Sequence, residues 1–232
     1  YAFGKSEFLD SFLVSVKRIV LGYFVNIILT IFTAYPLSKE KSTFRARNIY
    51  AWFFIITMMF SGGLIPTFMT VRSLGLLDTI WALILPGAVS VFHVVLLMNF
   101  FRGIPKEIEE AAYIDGAGHF TSLFKIYLPL SLPSLATISL FIIVEHWNDW
   151  FSGMIYMNSP KNYPLQTYLR SIIITPDLDR MTSSEELASM HEISDRTLKA
   201  AQVFLAAAPI LAVYPFIQKY FMKGLVLGSV KG

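Results

Sequence analysis

The chain has 232 residues, 55% of them hydrophobic and only 15% charged, with a formal net charge of +3 and no cysteine. A globular domain is nearer half apolar and a quarter charged, so this composition suits a bilayer better than one buried core. The small net charge argues against nucleic acid, and the missing cysteine excludes a disulfide framework, a thiolate metal site and a Cys nucleophile.

A membrane-spanning helix needs about 20 mostly apolar residues, and five segments meet that requirement. Ahead of them, Gly4-Lys5-Ser6 lacks the upstream glycine of a phosphate loop and reads as a surface turn. The first span covers residues 11–35, with Lys17 and Arg18 before its uncharged run. The second, 49–71, crosses Gly62-Gly63 and Pro66 and is expected to break or kink near its end. The third, 79–101, holds Pro86, Gly87 and a lone His93. The fourth, 128–157, is long and ends in polar residues. A polar stretch, 158–197, follows and reads as an aqueous loop with a short helix near 183–191. The fifth span, 198–222, contains Pro209 and Pro215. Proline is tolerated in such helices where neighbours satisfy the freed carbonyls.

The Lys and Arg residues of the short connections set the orientation. Lys39, Lys41, Arg45 and Arg47 lie after the first span, Arg102, Lys106 and Lys125 after the third, and Lys219, Lys223 and Lys231 after the fifth. Alternation puts all three groups on one side, the cytoplasmic one. The connection at 61–80 and the 158–197 loop then lie outside. The chain begins at Tyr1, and five spans starting outside imply a further helix upstream when the amino terminus is cytoplasmic. The fold expected is an all-α polytopic membrane protein, with five transmembrane helices of a six-helix core.

Residues 102–128 form a cytoplasmic loop whose centre, 109–120, is a polar island between two very apolar regions. Pro105 suits a helix start, residues 106–113 are good helix formers, and Ile108, Ala111 and Ala112 make a small apolar face. Gly116 ends that helix, and residues 119–127 can form a second. A small-residue face flanked by acids suits docking into a groove on another protein.

These residues carry a resemblance. Glu110-Ala111-Ala112, then Gly116, then Ile126, Leu128 and Pro129, match the spacing EAA-x3-G-x9-I-x-L-P, which resembles the EAA loop of permease subunits of binding-protein-dependent ABC importers. Asp115-Gly116-Ala117 fits the longer form of the motif. Trp147-Asn148 looks like the Trp-Asn pair of sugar permeases, and the tail KYFMKGLVLGSVKG looks like the carboxyl terminus of the carbohydrate-uptake (maltose-type) subfamily. The resemblance covers nearly the whole chain as one transmembrane domain. It implies a multi-pass protein of a bacterial or archaeal plasma (inner) membrane, with no catalytic residue and no cofactor of its own. ATP and Mg would sit on a partner. The partners implied are a second, non-identical permease subunit, two ATPase subunits and an external solute-binding protein. Glu110, Ala111, Ala112, Asp115 and Gly116 would dock on the ATPase. The transported solute would be a sugar, more an oligosaccharide than a free hexose, and acidic on one reading. An ATP-independent secondary carrier is the alternative; it would show an inverted repeat and acids at the midplane, and neither is seen apart from the off-centre Glu145.

Four further residues are candidates for the substrate pathway: Glu145, His146, Trp147 and Asn148. Ionisable groups within a span point to function, Trp147 suits stacking on a sugar ring, and Asn148 and Glu145 suit hydroxyl hydrogen bonds. The competing reading is an interfacial belt of Trp and polar residues meeting water. Lys17 and Arg18 read as snorkelling to headgroups or, with Arg72 on the same side, as an electropositive lining for an acidic sugar. His93 reads as a packed residue, and His119, His146 and His191 share no metal-ligand spacing.

Overall fold

The computed structural model describes residues 6–174 and, beyond them, the helical positions 200, 203, 204, 207 and 211. The fifth candidate span apart from those positions, the expected helix near 183–191 with His191, the tail motif, and Gly4-Lys5 lie outside the described residues. Among the described residues all regular structure is helical. The α-helices in chain order are α1 (Ser6–Ser38), α2 (Arg47–Met59), α3 (Leu64–Ser73), α4 (Val91–Arg102), α5 (Lys106–Ile114), α6 (His119–Ser122), α7 (Leu128–Leu130), α8 (Leu132–Asn148), α9 (Phe151–Tyr156) and α10 (Leu165–Ile174).

Among the described residues only α1, with 33 residues, is by itself long and apolar enough to cross a membrane. There are up to four such spans among the described residues if each of three broken pairs counts as one: α2 with α3, 80–87 with α4, and 119–130 with α8. The breaks have local causes. Gly63 adopts φ +86° between α2 and α3. Pro86 limits the turns at 80–87 to short 3-10 pieces. Pro129 and Pro133 each remove a backbone donor around Ser131. The fourth candidate span is shorter than its apolar content suggests. It stops at Asn148 because the Asp149 carboxylate takes the backbone N–H of Ser152 (3.1 Å) and the chain restarts as α9.

The described residues divide into two compact units. The first takes 6–21, 67–86 and 144–174. Two apolar clusters hold it. One joins Phe8, Trp147, Leu165, Tyr168 and Leu169. The other joins Val71, Ala82, Leu83, Tyr156 and Met157. Within the first part of the expected loop, residues 165–174 form α10. Leu165, Tyr168, Leu169 and Ile172 fall at i, i+3, i+4 and i+7, one helical stripe, and pack into the first cluster. Ser15 Oγ accepts the Leu165 N–H at 2.7 Å, satisfying a donor at the start of α10 that the helix cannot. Gly153 lets α9 and α10 approach closely: a Cβ there would lie 2.1 Å from Thr167 Oγ1. Asp78, at φ +60°, accepts the N–H groups of Asn158 (3.1 Å) and Ser159 (3.2 Å) and so ties the connection after α3 to the one after α9. These bonds, with the Asn162 side chain foremost, hold its carboxyl below its ordinary value.

The second unit takes 22–66 and 87–143. Its core joins Ile27, Ala34, Tyr35 and Leu37 of α1, Val94, Leu97 and Phe101 of α4, Leu123 and Tyr127, and Ile138 and Ile142 of α8. His93 is fully buried with its ring parallel to that of Phe141, 6.0 Å between centroids. α2 buries no residue and exposes Trp52, Phe53, Met58 and Met59, as suits a helix facing lipid or another subunit.

Candidate functional site

In the second unit, α5 follows Gly103 and Pro105 and ends in a Schellman turn. Gly116 N–H bonds to the Tyr113 carbonyl at 3.0 Å and Ala117 N–H to the Ala112 carbonyl at 2.9 Å. That turn needs a left-handed residue, and Gly116 supplies it at φ +82°. Nothing lies within 4 Å of where a Gly116 Cβ would be, so the constraint is the backbone alone. Glu110, Ala111, Asp115 and Gly116 are exposed and Ala112 is half-buried. Ile114 and Phe120 beside them are also exposed. A single π turn, Leu123–Tyr127, then leads into α7.

The opposite face of α5 is tied down by residues that the sequence reading passed over. Glu109 Oε1 accepts from Lys39 Nζ at 2.5 Å and from Tyr113 Oη at 2.8 Å, and Oε2 accepts from Tyr127 Oη at 2.5 Å. Lys39 Nζ lies over the Tyr35 ring at 4.1 Å and the Tyr127 ring at 3.9 Å, a double cation–π arrangement. Tyr35 Oη donates to the His119 carbonyl at 3.1 Å. Tyr113 gives its single proton to Glu109, so its 2.9 Å contact with His119 Nδ1 assigns the proton there to the imidazole. Burial pushes the Glu109 carboxyl up, but the bonds from Lys39, Tyr127 and Tyr113 outweigh it and hold it below 4.5. Burial also dominates at Lys39 and lowers its ammonium, with Glu109 opposing. The two shifts describe one pair: the carboxylate gains more from its three donors than it loses to burial, while the ammonium has one anionic partner. Arg102 and Arg47 donate to the Leu37 and Lys39 carbonyls, each at 3.0 Å, satisfying acceptors at the end of α1. Beside this network lies a cavity of about 290 Å³ lined by Phe32, Tyr35, Phe44, Phe120 and Leu123 among others.

Glu109 and Tyr113 stand four residues apart on one face of a helix. That spacing was the available signal, since adjacent Glu109 and Glu110 must point to different faces.

In the first unit, the four pathway candidates separate by helical register. Glu145 and Asn148, three residues apart, are exposed, while His146 and Trp147 are buried. The Trp147 indole meets Phe12 edge-on, 6.1 Å between centroids, within the first cluster. Arg18 corrects the snorkelling expectation. It is 2% exposed. Its Nη2 bonds to Asp149 Oδ2 at 2.5 Å and to the Leu83 carbonyl at 3.1 Å, and its Nη1 bonds to the Asp149 carbonyl at 2.9 Å. A guanidinium that finds a carboxylate and two carbonyls inside the protein has no need to reach headgroups. Lys17 is exposed. Among the described residues no three His, Cys, Asp or Glu gather in a way that could hold a metal ion.

Residues 14–226 match the sequence family described as "Binding-protein-dependent transport system inner membrane component". The chain is 44% identical over 232 residues to the polygalacturonan/rhamnogalacturonan transport system permease protein YtcP of Bacillus subtilis (strain 168), covering 100% of this chain and 80% of that protein. It is 44% identical to protein LplC of the same organism, over 100% of this chain and 77% of that one. Among solved structures, it is similar to a bacterial ABC transporter involved in the import of the acidic polysaccharide alginate, with a TM-score of 0.84, 33% identity, and coverage of 95% of this chain and 77% of that one. The chain therefore belongs to the family of inner-membrane components of binding-protein-dependent transport systems.

Proposed function

We propose that this chain is one of two transmembrane subunits of an ATP-driven importer of acidic oligosaccharides. A second, non-identical permease completes the pathway, two ATPase subunits bind below, and an external binding protein delivers the solute. The observation that carries the reading is α5: a short helix presenting Glu110, Ala111, Ala112 and Asp115, jointed at Gly116, in a chain 44% identical over 232 residues to a polygalacturonan/rhamnogalacturonan transport system permease protein. On this reading the five residues of that loop seat on the ATPase, and hydrolysis of ATP with Mg stays on that partner. Five spans in this chain belong to a six-helix core in a bacterial or archaeal plasma membrane. Access to the pathway alternates as the docked loops move, because the contacts made by the docked loop differ between the two states. Glu145 and Asn148 face the pathway, supported from behind by His146 and Trp147.

Affinity purification of the full-length chain from native membranes, in mild detergent, tests the assembly. An ATPase and a second permease should accompany it. Glu110→Lys should weaken that association by placing the wrong charge in the docking groove. In proteoliposomes with the binding protein present, oligogalacturonate should be taken up in preference to a neutral maltodextrin. A chain purified without any ATPase, or uptake that does not depend on ATP, would reverse the conclusion.

A further inference from the structure

Lys39 and Glu109 stand where a link between the docking loop and a long helix is needed. Lys39 follows the last residue of α1, and Glu109 precedes the Glu-Ala-Ala segment on α5. Their side chains are 5% and 17% exposed. A buried ion pair is a poor device for stability alone, because desolvation offsets most of the attraction and apolar packing would serve as well. What a short charge-assisted bond adds is direction: it opposes sliding and separation of the two groups it joins. Here the carboxylate holds three donors from three parts of the fold, Lys39 at the end of α1, Tyr113 on α5 and Tyr127 ahead of α7. The ammonium is further confined between two ring faces. The pair of Lys106 with Glu40 joins the same two regions, but it is exposed and contributes little.

We infer that the Lys39–Glu109 pair is the mechanical link that delivers movement of the ATPase-docked α5 to α1. These are positioning residues for coupling; they do not belong to the docking surface. α5 cannot shift along the end of α1 without breaking this pair, and the Tyr127 bond ties the same carboxylate to the segment ahead of α7; the Tyr113 bond lies within α5 and moves with it. The inference rests on the ATP-driven reading above.

The test uses the full transporter in proteoliposomes, recording copurified ATPase, ATP hydrolysis and sugar uptake separately. Glu109→Gln and Lys39→Met should retain the ATPase and hydrolyse ATP. Uptake per ATP should fall by about tenfold, within the range of coupling between distant sites. The exchanged pair Lys39→Glu with Glu109→Lys should recover part of it. These 232 residues hold no cysteine, and in a transporter whose other subunits are made cysteine-free a second measurement does not depend on these variants packing well. In Lys39→Cys with Glu109→Cys, a bis-methanethiosulfonate linker should restore uptake per ATP, and reduction should abolish it again. Unchanged uptake per ATP in both single variants, or equal ratios with and without the linker, would overturn the inference. Failure of the wild-type chain to bring down an ATPase would instead overturn the ATP-driven reading.

Discussion

Arg18 and Asp149, 131 residues apart in sequence, are joined by an ion pair at 2.5 Å inside the first unit. The same carboxylate holds Ser152, through Ser152 Oγ at 2.5 Å and the Ser152 N–H at 3.1 Å. One aspartate thus ends α8, starts α9 and neutralises a buried arginine.

Breaking that pair on one side should be worse than removing it altogether. Arg18→Leu leaves Asp149 desolvated and unpaired. The expected loss is on the order of 3 kcal/mol, at the low end for buried pairs because the Asp149 side chain is 30% exposed. Arg18→Leu with Asp149→Asn, which removes the charge and keeps an acceptor for the Ser152 N–H, should lose less than Arg18→Leu alone. Thermal melting in detergent, followed by retention of the monodisperse species, checks both. A double variant less stable than Arg18→Leu would contradict the pairing.

Asn148 and Trp147 should separate cleanly in kinetics and stability. Trp147→Ala empties a core site and should cost roughly 3–5 kcal/mol. Asn148→Ala removes an exposed amide and should leave the melting temperature nearly unchanged. If Asn148 faces the sugar, the concentration for half-maximal uptake should rise. Uptake kinetics beside a melting curve decide between them.

Gly116 should tolerate substitution by the cost of its backbone alone. A left-handed conformation costs an ordinary L-residue roughly 1–2 kcal/mol. Gly116→Asn should be mild, and Gly116→Val severe, because a β-branched residue resists positive φ most. The variants should be compared by copurified ATPase and by uptake per ATP. Equal behaviour of Asn and Val would show that the turn is not preserved on docking.

Gly153→Ala should force α9 and α10 apart, since the new methyl would lie 2.1 Å from Thr167 Oγ1 and 2.8 Å from Pro164 Cδ. Overpacking of this kind costs about 1–3 kcal/mol. Thr167→Gly in the same chain should recover part of the loss. Protease sensitivity between the two helices, together with melting temperature, reads the outcome.

Acid should act on the α5 network in one direction. The Glu109 carboxyl titrates below its ordinary 4.5 in the folded protein. Its stabilising contribution is therefore complete above 4.5 and disappears as pH falls through the lowered folded value. Glu109→Gln should lack that part of the acid sensitivity. The gap in melting temperature between wild type and variant should narrow as pH drops from about 6 to about 3. A gap independent of pH would mean that Glu109 is not the charged acceptor.

The helical character of this chain was legible from local pattern. Apolar runs, the proline and glycine breaks, and the helix of 106–114 closed by Gly116 all depend on neighbours within a turn or two, and the sequence carries that information directly. The α10 stripe was also present, at Leu165, Tyr168, Leu169 and Ile172, but the surrounding polar residues and Pro160 and Pro164 concealed it. The direction each side chain faces was only half legible. Register groups Glu145 with Asn148 and separates them from His146 and Trp147, yet it does not say which pair meets the core.

By itself the sequence determined that the second span breaks near Gly63 and that the helix beginning at Lys106 is closed by Gly116, because those follow from residues close together along the chain; the stop at Asn148 and the helix α10 depend on contacts it did not show. Only the tertiary structure decided that Arg18 belongs to Asp149, that Lys39 belongs to Glu109, and that Trp147 packs on Phe12. Lysines and arginines near a span end have water, headgroups and carboxylates to choose from. The choice falls to whichever carboxylate the folded chain brings within reach in a dry site, where pairing is the only way to keep the charge. That proximity spans 70 residues for one pair and 131 for the other, and no local pattern encodes it.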